Sequence, residues 1–77
     1  IDRDPARAAA LLPADARIRV VASPAEVAGF SPDLVLLALK PQLLGDALPA
    51  LRPLCAGALV VSIAAGVRIA QLLRWLA

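Results

Sequence analysis

Histidine, methionine and tyrosine are absent from this chain, and cysteine, phenylalanine and tryptophan occur once each. Without histidine these residues hold no Ser-His-Asp triad, no imidazole metal ligand and no imidazole acid or base. Cys55 alone can close no internal disulfide and build no cysteine zinc site, so it reads as a small buried hydrophobe. Nothing requires an oxidising compartment, and a cytoplasmic setting is expected. Phe30 and Trp75 are too few for a platform of stacked bases. The eight basic residues are scattered from Arg3 to Arg74 without a run, and the net charge is only +2. They read as solvated surface charge, so no nucleic-acid partner is expected.

Long apolar spans are also missing. Leu54–Val67 carries no charge, but Ser62 and two glycines interrupt it, and it falls short of the roughly 20 residues a membrane helix needs. No membrane partner is expected, and the charged start Ile1-Asp2-Arg3-Asp4 has no secretory signal character. Disorder is excluded too, because 61% of the residues are apolar and only 18% charged. Seventy-seven residues allow one small domain. The lack of any methionine, with Ile1 first, reads as a piece of a longer protein.

Three apolar runs read as strands: Ile18–Val21, Leu34–Leu39 and Leu59–Ile63. None alternates with polar residues, which suits strands buried on both faces of a parallel sheet. Helices are expected between them. Asp4-Pro5 opens the first, which runs to Leu12 before Pro13. Ser23-Pro24-Ala25-Glu26 is a capping-box pattern opening a short helix before Gly29. Pro41 opens a longer helix to about Leu54, with a bend expected at Pro49. A last helix starts near Arg68, with Ile69, Leu72, Leu73 and Leu76 on one buried face and Trp75 as a partly buried anchor. The alternation implies an α/β fold, a doubly wound parallel sheet with helices on both faces.

In such sheets ligands bind beyond the carboxyl ends of the strands. The middle strand ends in Ala38-Leu39-Lys40-Pro41 and the last in Ile63-Ala64-Ala65-Gly66. Small residues there let a flat ligand approach the backbone, or simply pack the turn into the next helix. Lys40 is either a solvated end-cap or an ammonium beside cofactor oxygens. Ser23 caps a helix and also lies on the ligand edge. If a strand ended at Ile1, Asp2 would hydrogen-bond an adenosine ribose and Arg3 would meet a 2′-phosphate. The four glycines form no G-x-G-x-x-G, so the phosphate-binding turn is not among these residues.

The string Val60-Val61-Ser62-Ile63-Ala64-Ala65-Gly66-Val67, preceded by Ala38-Leu39-Lys40-Pro41, resembles the cofactor domain of the pyrroline-5-carboxylate reductase family. The likeness runs through essentially the whole chain in order and spacing. The first string is quite specific. The second is shared more widely among hydroxyacid-dehydrogenase-like proteins, and Leu39 stands where the reductases usually have valine. The resemblance implies part of a Rossmann-like domain binding NADPH or NADH, in an enzyme that reduces 1-pyrroline-5-carboxylate to proline. It implies cofactor contacts at Asp2, Arg3, Ser23, Ala38 to Pro41 and Ile63 to Gly66, with no catalytic residue and no metal in this segment. It places the first strand and glycine-rich turn before Ile1. A helical domain that forms a homo-oligomer and carries most substrate contacts would follow Ala77. A related dehydrogenase acting on a hydroxy acid or an arogenate-like substrate stays open, as does a non-catalytic nucleotide-binding or interaction module.

Overall fold

The computed structural model describes residues 1–76. Asp4 caps the first helix, α1 (Pro5–Ala10), by accepting the N–H of Arg7 on its carboxylate at 3.1 Å. A single 3-10 turn, Pro24–Val27, replaces the short helix expected after Ser23. The Glu26 carboxylate accepts the N–H groups of Ala22 and Ser23 at 2.7 and 3.0 Å, which ties the turn to the segment before it. Strand β1 (Leu34–Leu37) leads into the long helix α2 (Pro41–Cys55), and strand β2 (Leu59–Ser62) leads into α3 (Ile69–Leu76).

The two strands pair in parallel, Leu34 opposite Leu59 through Leu37 opposite Ser62. This is a β–α–β unit with α2 as the crossover. Both strands are shorter than the apolar runs that encode them, because pairing stops where the chain turns toward the next helix. Helix α2 is continuous through Pro49 and Pro53. Both prolines are exposed. Each removes one backbone donor, so the carbonyls of Gly45 and Pro49 lose their i+4 partners on the solvent side.

The core lies on one face of the sheet. Leu44 and Leu48 of α2 are fully buried with Leu37, and Val35, Val60, Leu51, Leu72, Trp75 and Leu76 close around them. This is the period-2 face of β1 and β2 meeting the i, i+4 stripe of α2.

Three expectations need correction. Ile18–Val21 forms no strand in this sheet. The Ile18 N–H closes a local turn on the Asp15 carbonyl at 3.0 Å. The Asp2 N–H donates to the Val21 carbonyl at 2.9 Å, and one bond to another segment does not make a ladder. Helices do not cover both faces. Leu34, Leu36, Leu59 and Val61 point away from α2 and remain exposed, so the described residues build two layers rather than three. The shortest dimension of the molecule, 17 Å, agrees with a sheet and one helical layer. Third, α3 has no fully buried residue: Leu72, Trp75 and Leu76 are half-buried against the core, while Ile69 and Leu73 are exposed. The large indole takes the contact with α2, and Ile69 and Leu73 rotate onto the flank.

Candidate functional site

Parallel register places the two carboxyl ends side by side. Leu37 pairs with Ser62, and the Leu37 carbonyl accepts the N–H of Ile63 at 3.2 Å. The segments Ala38–Pro41 and Ile63–Gly66 therefore leave the same edge of the sheet, one strand spacing apart, about 4.8 Å. Each leads directly toward a helix. Lys40 is the N-cap of α2 in extended backbone conformation and is exposed, with Pro41 at the first helical position. The positive end of a four-turn helix and one ammonium thus stand at this edge, which favours anionic or electron-rich ligand atoms.

The second segment is shaped by its own side chains. Ser62 Oγ accepts the N–H of Ala64 at 3.2 Å, which tightens the exit from β2. Ser62 carries this turn, a role its place in the V-S-I-A-A-G-V string alone does not assign. A serine ending a strand before small residues is the available signal. Gly66 has φ +75° and open space where a Cβ would lie, so glycine is needed here for backbone conformation and not for room. Ala64 packs on the core, while Ala65 and Gly66 are exposed beside the strand end.

Asp2 and Arg3 lie outside the sheet, beside β1. They line a cleft of about 850 Å³ together with Ala38, Leu39 and the whole of β1. Its far wall includes Val21, held to Asp2 by the backbone bond already described. One Asp2 carboxylate oxygen accepts the N–H of Asp4 at 2.8 Å, so part of that carboxylate holds the local turn. Arg19 and Asp46 also reach this cleft. Sequence spacing gives no hint of Arg19, because the segment that carries it joins the cleft through the backbone bond between Asp2 and Val21, and its guanidinium donates to the Glu26 carbonyl at 3.2 Å.

The cleft follows the unpaired edge of β1. The carbonyls of Asp33 and Leu37 accept bonds from β2, so the alternate residues Leu34 and Leu36 direct their backbone groups to the opposite edge. Ser23 lies on a second depression of about 530 Å³ with Gly29, Phe30 and the C-terminal half of α2. The structure thus brings together Lys40, Pro41, Ile63, Ala64, Ala65 and Gly66 at the strand ends. It groups Asp2, Arg3, Ala38 and Leu39 in the cleft and sets Ser23 apart. Among the described residues no group of three or more acidic or cysteine side chains can hold a metal ion, and no helix is long and apolar enough to cross a membrane.

A two-layer β–α–β unit with small residues and a helix N-terminus at the carboxyl edge has the form of part of a Rossmann-like nucleotide-binding domain. The comparison with protein families agrees: residues 1–66 match the family described as NADP oxidoreductase, coenzyme F420-dependent, and the chain belongs to it. No curated protein and no solved structure matches the chain. A dinucleotide fits the residues present at this edge. The Lys40 cap and the Ala65–Gly66 turn offer a cation, the positive end of α2 and an unobstructed backbone to phosphate, ribose or carboxamide oxygens, although Pro41 has no N–H and that of Leu43 is held by the Lys40 carbonyl.

Proposed function

We propose that this chain is the larger part of the cofactor-binding domain of an enzyme that reduces 1-pyrroline-5-carboxylate to proline with NADPH or NADH. The observation that supports it most is the side-by-side placement of Ala38–Pro41 and Ile63–Gly66, the two segments carrying the reductase-like strings. When bound, the nicotinamide cofactor supplies a hydride for the imine carbon. The chain's own residues bind and orient: the Lys40 edge meets polar cofactor atoms, and the Ala65–Gly66 turn keeps the approach free of side chains.

The first strand and the glycine-rich turn belong, on this reading, to sequence before Ile1. A strand lying in the cleft would meet the outward backbone groups of Leu34 and Leu36 on one side and the Asp2–Val21 segment on the other. Substrate contacts and the homo-oligomer belong to sequence after Ala77, and the working compartment is the cytoplasm. Both cofactors are used, with NADPH preferred. Arg3 suits a 2′-phosphate, while Asp2 spends part of its carboxylate on Asp4.

The matched family's description names coenzyme F420 as a partner, which favours one second reading: hydride exchange between NADP and that coenzyme. The deciding experiment follows nicotinamide absorbance in the protein extended on both sides, with pyrroline-5-carboxylate, hydroxy acids and coenzyme F420 as separate substrates. Turnover with the cyclic imine alone is expected. Turnover only with F420 or a hydroxy acid overturns the reductase reading. The isolated 77-residue chain is expected to show none, because the pyrophosphate lacks the glycine-rich turn and its helix N-terminus, and turnover by it would show the site to be misplaced.

A further inference from the structure

We draw no further inference here: the strongest candidate, the exposed apolar sheet face of Leu34, Leu36, Leu59 and Val61 that continues into the open edge of β1, carries nothing because nothing in the structure shows what covers it.

Discussion

Gly45 of α2 faces the indole of Trp75 of α3 so closely that a Cβ on Gly45 would lie 3.4 Å from three ring atoms, Nε1, Cε2 and Cζ2. This approach sets how α3 lies on α2. The same contact is reinforced at the far end, where Arg52 Nε donates to the Trp75 carbonyl at 2.9 Å and satisfies one of the carbonyls left over at the end of α3. Gly45 thus weakens α2 as an isolated helix and allows the tertiary contact that anchors α3.

Substitution at Gly45 therefore depends on size. Gly45→Ala gains helix propensity of about 1 kcal/mol and meets the ring at the edge of ordinary contact, so the net change stays within about 1 kcal/mol. Gly45→Leu displaces the indole and costs roughly 1–3 kcal/mol, as overpacking does. Urea unfolding followed by Trp75 fluorescence measures both, and a neutral Gly45→Leu would show that the contact does not position α3.

The two faces of the sheet should respond differently to truncation. Leu48→Ala removes a side chain with no exposed surface and should cost about 2–5 kcal/mol. Leu36→Ala removes one that is more than half exposed and should cost less than about 1 kcal/mol in the same chain. Equal losses would mean that the face carrying Leu36 is covered in solution.

Cys55 gives the chain a slope of stability at alkaline pH. Burial pushes its thiol up from the ordinary range, because the thiolate is disfavoured out of water. The contribution is complete below the unfolded thiol pKa, near 8.5, and is lost as pH rises from there through the folded value. Unfolding free energy should fall over that window, and Cys55→Ala should flatten the fall. Alkylation at pH 8 should be slow in the native chain and fast in urea; equal rates would place the thiol in solvent.

At the strand ends, Gly66→Ala should cost about 1–2 kcal/mol, because alanine pays for the left-handed conformation at φ +75° although space is open around it. Ala65→Leu has no such backbone penalty and should leave stability nearly unchanged. In the full-length enzyme it should raise the KM for the nicotinamide cofactor by roughly tenfold, equivalent to about 1.4 kcal/mol of lost binding. Unchanged cofactor kinetics would remove this turn from the site.

Cofactor choice should separate Asp2 from Arg3. Arg3→Ala in the full-length enzyme should lower the efficiency with NADPH by about tenfold and leave NADH nearly unaffected, since a guanidinium–phosphate bond is worth about 1.5–3 kcal/mol when made. An equal loss with both cofactors would assign Arg3 to the turn before α1 and not to the 2′-phosphate.

The legible parts of this fold are the local ones. Pro41 at the start of α2, Asp4 before α1, and the apolar runs Leu34–Leu39 and Leu59–Ile63, within which β1 and β2 form, each act on their own backbone or their immediate neighbours, so composition and order place them to within a residue or two. That the chain leaves both strands at the same edge, before Lys40 and before Gly66, was legible as well, because two parallel strands joined by one helix end at one edge. The segment Ile18–Val21 shows where this fails. Its residues have strong strand preference, yet a strand exists only where another backbone pairs with it, and Asp2 supplies one bond.

The sequence by itself determined the β–α–β order, the caps and the small-residue exit from β2, since each follows from steric and hydrogen-bonding preferences over a few residues, and that order in turn implies parallel pairing, because one helix joins the two strands. Tertiary structure decided which surface each apolar residue meets. The i, i+3, i+4 pattern of α3 admits either Leu73 or Trp75 at its centre, and the notch at Gly45 selects Trp75. In the same way, Leu36 and Leu37 are chemically identical neighbours, but α2 packs on the face of Leu37 and leaves Leu36 in water. Burial is a property of the whole arrangement, because it depends on what other elements bring to a face and not on the side chain that waits there.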